Sequence, residues 1–60
     1  MRLILTIDMD NAAFEDSPGQ EAARILREAA RKIEGAQAGD IGAFALLDLN
    51  GNKVGKLSVQ

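Results

Sequence analysis

The sequence predicts a small α+β domain of β-α-β-β order, a three-stranded sheet with one helix on one face. Three observations carry this expectation. Near the start, Leu3-Ile4-Leu5-Thr6-Ile7 is a run of apolar residues rich in types that fit a pleated surface. In the middle, Ala22, Ile25, Leu26, Ala29 and Ile33 recur at the spacing of a single helical face. Near the end, two apolar runs flank Asn50-Gly51, the dipeptide most suited to a tight hairpin turn. At 60 residues the chain is expected to be a single domain, 1–60.

The first strand is predicted over residues 2–8, with Leu3, Leu5 and Ile7 on one face and Arg2, Ile4 and Thr6 on the other. Residues 9–16 follow as a loop. Asp10-Asn11 favours a turn, and Phe14, one of two aromatic residues, is expected to anchor the loop. The helix is predicted over 18–34. Ser17 suits the N-cap, Pro18 the first turn, and Gln20 stands three residues after Ser17, where a capping box would have it. Gly35 stands where a left-handed C-cap belongs. Residues 35–40 read as a loop, and 41–49 and 53–59 as the two strands of a hairpin. A right-handed crossover would make the first and second strands parallel within a shared sheet.

Two hairpin registers fit the sequence. With Asn50-Gly51 as the loop, Phe44 faces Leu57 and Leu47 faces Val54; with Gly51-Asn52, Leu46 faces Leu57 and Leu49 faces Val54. Both put Phe44, Leu46, Leu57 and Val59 on one face, and Ala45, Leu47, Leu49 and Val54 on the other. One helix covers one face, so Ile4, Leu47, Leu49 and Val54 are expected to form an exposed apolar patch, and hence an oligomer interface. Length points the same way. A domain this short buries only about 60% of its unfolded surface and usually needs a staple. Cysteine and histidine are both absent, which removes disulfides and the usual zinc sites. A homodimer or higher oligomer is therefore expected. Gly55, inside a strand pattern, is expected to mark a bulge or the close approach of another chain.

The same inventory bears on chemistry. Ser17, Ser58 and Thr6 are the only hydroxyls, and without histidine none has the usual activating base. No catalytic residue and no cofactor is expected. Asp8, Asp10, Glu15 and Asp16 cluster around the first loop, and Asp48-Leu49-Asn50-Gly51-Asn52 has a faint likeness to a calcium loop. That loop would end in a bidentate glutamate, and none follows Asn52. No metal site is expected. Turn chemistry and favourable charge at the helix start account for these acids.

Arg24, Arg27 and Arg31 fall within about 60° of one another around the helix. Such a row would suit phosphates, although Glu28 sits where it would pair within the helix. The net charge of −2 disfavours nucleic acid as a partner, leaving a small DNA-binding regulator as the weakest of three readings. No segment has the length of a membrane span or the pattern of a leader peptide, and a cytoplasmic location is expected.

Three segments share a further likeness: Asp10-Asn11-Ala12-Ala13-Phe14-Glu15-Asp16, Glu21-Ala22-Ala23-Arg24-Ile25-Leu26, and Asp48-Leu49-Asn50-Gly51-Asn52-Lys53-Val54-Gly55. Through them the chain resembles short accessory proteins encoded by bacteriophages, prophages and other mobile elements. The resemblance brings no catalytic residues. It implies a non-enzymatic protein acting in a bacterial host, with inhibition of an antiviral defence protein as the leading expectation. Asp8, Asp10, Phe14, Glu15 and Asp16 are the expected contact with a host protein, their carboxylates imitating nucleic-acid charge against a basic surface. The alternative is a homo-oligomeric sponge for a phosphorylated nucleotide signal, with Arg24, Arg27 and Arg31 as its phosphate contacts.

Overall fold

A computed structural model describes residues 1–36 and 41–60. The predicted fold class holds. Strand β1 (Leu3–Ile7) leads through a single 3-10 turn (Ala12–Phe14) to helix α1 (Pro18–Gly35), and strands β2 (Ala43–Leu47) and β3 (Lys53–Val59) form a hairpin. The loop expected over 35–40 lies, from residue 37 on, outside the described residues. The sheet order is β1-β3-β2 with both pairings antiparallel, so β1 and β2 run parallel at opposite edges. This is the relative direction that the crossover rule required.

One face of the sheet meets the helix. Ile25 and Ala29 of α1 pack on Leu46, Val54 and Leu57, and Phe14 closes the core from the loop side. Leu5 and Ile7 join this core as β1 alternation predicted. Phe14 is the anchor of its loop, only 3% exposed.

From Ala43 to Leu46 the hairpin keeps the first predicted register, with Phe44 opposite Leu57; at the turn it departs from both. Asp48 N–H donates to Asn52 O at 2.8 Å, and Gly51 N–H donates to Asp48 O at 3.1 Å. The loop is thus three residues, Leu49-Asn50-Gly51, with Gly51 in the left-handed region at φ 86°. This places Leu47 opposite Lys53, while further along Leu46 faces Gly55 and Phe44 faces Leu57. The register jump falls between Leu46 and Leu47, and Val54 is the extra residue.

The bulge changes which face Val54 occupies. Without it, Val54 would lie outward with Lys56. With it, Val54 and Leu57 both point inward, and Val54 is 6% exposed within the core. The expected patch of Ile4, Leu47, Leu49 and Val54 therefore loses Val54, while Leu47 and Leu49 are exposed as expected, at 47% and 71%. Val54 is core, and Leu49 belongs to the turn. Ile4 and Leu47 remain on the outer face, in rows separated by Thr6, Lys56 and Ala45.

Gly55 is the site of a close approach, but by the chain's own β1 and not by another chain. A Cβ there would run into the carbonyl oxygen of Thr6 and lie 3.0 Å from Ile7 Cα.

Both expected caps of α1 differ in detail. Ser17 is the N-cap residue and its carbonyl accepts Glu21 N–H at 3.1 Å, but its side chain makes no capping bond. Its ψ of 72° departs from the extended geometry that brings an N-cap hydroxyl onto the helix. Gly35 is the last helical residue rather than a left-handed cap. The chain leaves through Ala36, which is extended at φ −80°, ψ 145° and donates to Ile33 O at 3.2 Å. Among the described residues, no helix is long and apolar enough to cross a membrane.

Candidate functional site

The polar centre of the molecule lies where the first loop, the start of α1 and the hairpin turn converge. It is built around two buried carboxylates. Glu21, in the first turn of α1, faces Arg24 one helical turn on, and their side chains meet in two places: Nε to Oε1 at 2.7 Å and Nη2 to Oε2 at 3.0 Å. Such a fork-to-fork pair fixes both side chains in orientation as well as charge. Glu21 Oε2 also accepts the backbone N–H of Leu49 at 2.7 Å, which ties the helix to the hairpin turn. Arg24 reaches further, to Glu28 Oε2 at 2.9 Å and to Leu47 O at 3.1 Å.

Asp48 organises the turn. Its Oδ1 accepts the N–H groups of Asn50 and Asn52 at 2.9 and 2.8 Å. Its Oδ2 accepts the side-chain amides of Asn11, at 2.6 Å, and Asn52, at 3.2 Å. Asn11 in turn accepts Ala13 N–H at 3.2 Å and so caps the 3-10 turn. One carboxylate thus holds the hairpin turn and the first loop together. Among the described residues, no buried side-chain nitrogen or oxygen is left without a partner.

Both acids are held ionised. The hydrogen bonds from Arg24 lower the pKa of Glu21; burial opposes them, and the Leu49 N–H adds to the lowering. The bonds to Glu21 raise the pKa of Arg24 in return. At Asp48 burial is the largest single influence and pushes the pKa up. The donors from Asn52, Asn11 and Asn50 together outweigh it, and the net shift is downward.

Around this centre lies an open groove of about 510 Å³, lined by Ala13, Asp16, Ser17, Gln20, Glu21, Arg24, Arg27 and Leu49. Leu49 stands at its lip, 71% exposed, while its backbone is fixed by Glu21. The groove is therefore a preformed surface, part apolar and part charged, on a rigid support.

The residues expected from sequence fall into two groups. Asp8, Asp10, Glu15 and Asp16 are exposed, and Asp16 borders the groove. Phe14, expected among the contact residues, is in the core and has no surface to offer a partner. Its apolar neighbours on helix and sheet take the whole ring. In the arginine row, Arg24 has its guanidinium committed to Glu21, Glu28 and Leu47 O, so it does not stand open to a phosphate as expected. Arg27 borders the groove and Arg31 is exposed. Lys32, off this row, lies over the Phe44 ring at 4.8 Å. Among the described residues, no group of three or more acidic side chains converges as a metal site would need.

Glu21 and Asp48 were not expected to be central. The signals were present: Glu21 and Arg24 at i and i+3, and an aspartate four residues before Asn52 across an Asn-Gly turn. What sequence spacing lacks is the distance between helix start and hairpin turn, which only the packed sheet sets. No protein-family model matches the chain, and no similar curated protein or solved structure was found.

Proposed function

We propose that this protein is a small non-enzymatic binding module of the phage accessory type, which docks on a basic surface of a bacterial host protein and modulates it. The groove carries this reading. It pairs an exposed, backbone-anchored Leu49 with the carboxylate of Asp16, Arg27 standing at the same border; Asp10 and Glu15 are exposed in the loop that leads to Asp16. A partner presenting a lysine or arginine beside an apolar side chain would match both features. Little is lost to ordering on binding, because the Glu21 and Asp48 networks already fix the loop and turn. A host antiviral defence protein whose basic surface normally receives nucleic acid is the favoured target. Action inside the host cytoplasm follows from that choice.

The test is affinity capture from bacterial lysate with three baits: the wild type, Leu49→Glu, and the triple variant Asp10→Asn, Glu15→Gln, Asp16→Asn. A stoichiometric protein held by the wild type and lost by both variants, at unchanged melting temperature, supports the reading. Capture that survives both variants refutes the groove as the contact. Release of a nucleotide by heat, with no protein, would replace a protein partner with a phosphorylated ligand.

A further inference from the structure

We infer that the edge of β1 left unpaired among the described residues is self-complementary and joins two copies of the chain into a continuous six-stranded sheet. The ladder to β3 fixes which groups are free. Arg2 and Gln60 exchange both backbone bonds, at 2.7 and 2.8 Å, and Asp8 N–H donates to Val54 O at 2.7 Å. Even-numbered residues of β1 therefore bond inward to β3, and Leu3, Leu5 and Ile7 turn their N–H and C=O groups outward. This edge is a plain Leu-Ile-Leu-Thr-Ile run without charge, proline or bulge, the devices that usually block edge pairing. The opposite edge, β2, differs, because Arg24 already occupies Leu47 O.

An antiparallel pairing of two β1 strands about Leu5 uses every free group. Leu3 meets Ile7 of the second copy and Leu5 meets its own equivalent, each as a hydrogen-bonded pair. In the same register Arg2 lies opposite Asp8 of the second copy on the outer face, at both ends of the seam. A shift by two residues either way loses a bonded pair and sets a charged residue opposite Thr6 or Ile4. Charge and hydrogen bonding thus select one register.

The apolar surface agrees. Arg24, on one flank of α1, reaches β2, so Leu26, on the other flank, sits toward β1. Leu3 and Leu26 are 53% and 48% exposed, and a second copy at this seam would cover them. The single chain exposes 4295 Å², above the roughly 3,800 Å² usual for its mass, which leaves surface for an interface.

The test is sedimentation equilibrium on the wild type, Arg2→Asp, Asp8→Arg and the double exchange. Both side chains are exposed, so the fold tolerates the changes. The wild type is expected to dimerise in the micromolar range, with each single variant weaker by roughly tenfold and the double exchange restored to within about threefold. A second probe is a chemically synthesised chain with an N-methyl group on Leu5. It blocks the outward N–H, leaves the β3 ladder intact, and is expected to be monomeric with an unchanged circular dichroism spectrum. A wild type that stays monomeric up to about 500 μM would overturn the inference. So would a dimer that both single variants and the N-methyl chain retain, or a double exchange that fails to rescue.

Discussion

Val54→Ala tests the bulge directly. In an unbroken ladder Val54 would lie on the outer face beside Lys56, and its truncation would cost no more than about 0.5 kcal/mol. In the structure it is 6% exposed and packs with Ile25, Leu46 and Leu57. Truncation removes two methyl groups at about 0.8 kcal/mol each. The space they leave between a helix and a sheet closes only in part and adds to the loss, for a total of about 2 kcal/mol. For a chain of 60 residues, each kcal/mol lowers Tm by about 8 °C, so a fall of about 16 °C is expected. Leu47→Gln is the matched control. Leu47 is 47% exposed on the outer face, and glutamine keeps its aliphatic stem, so Tm should stay within about 4 °C. Thermal melts followed by far-UV circular dichroism suffice, at one fixed protein concentration, because self-association would shift both curves. A Val54→Ala melt within about 4 °C of the wild type would refute the inward placement of Val54, and the bulge with it.

The remaining predictions concern the other fixed points of the fold. Glu21 and Asp48 titrate below their ordinary values of 4.5 and 3.8, so the stability they contribute is complete above those values and is lost as pH falls through the lower values of the folded protein. Melts should be flat from neutral pH down to about pH 5 and fall in acid, with the fall blunted in a Glu21→Gln, Asp48→Asn variant; an equal acid loss in that variant would assign it to other groups. Gly55→Ala should force β1 away from β3, costing about 1–3 kcal/mol, and hydrogen exchange should show the amides of Ile4 and Thr6 losing protection before those of β2. Phe14→Ala should cost about 3–5 kcal/mol and leave little folded protein, whereas Glu15→Gln should leave Tm unchanged; equal melts would contradict the core position of the ring.

The elements were legible because each has a local cause. The alternation in β1, the apolar face of α1 and the Asn-Gly turn each arise from residues close in sequence, and all three stand where the pattern places them. What the pattern missed depends on a third element. Asn50-Gly51 correctly signals a turn, but Asp48 accepts the N–H groups of Asn50 and Asn52 and sets a three-residue loop, which shifts the register by one. Val54 then absorbs the shift, so a side chain assigned outward by strict alternation ends in the core. Glu21 reads as an ordinary first-turn acid until the hairpin delivers the Leu49 N–H to it. Arg24 reads as one of three equivalent arginines until Glu21 and Leu47 O claim it. Ser17 and Gly35 show the opposite case, where a suitable residue type is present and the local backbone leaves its usual role unused.

The strand order also dictates a sequence of events during synthesis. β1 precedes the other elements, yet among the described residues its strand partner is β3, and residues 8–52 must be added before β3 begins. At ~5–20 residues per second, β1 waits several seconds with both of its edges unpaired. The hairpin of β2 and β3 closes over a loop of three residues and needs no long-range search, so it forms as soon as its chain is available. Capture of β1 onto this hairpin is then the slow closing event, and the Arg2–Gln60 bonds are among the last to form. During that interval, neighbouring nascent chains on one messenger would present the same uncharged strand to each other. Conditions that slow elongation would lengthen the exposure and favour premature strand exchange over the native sheet.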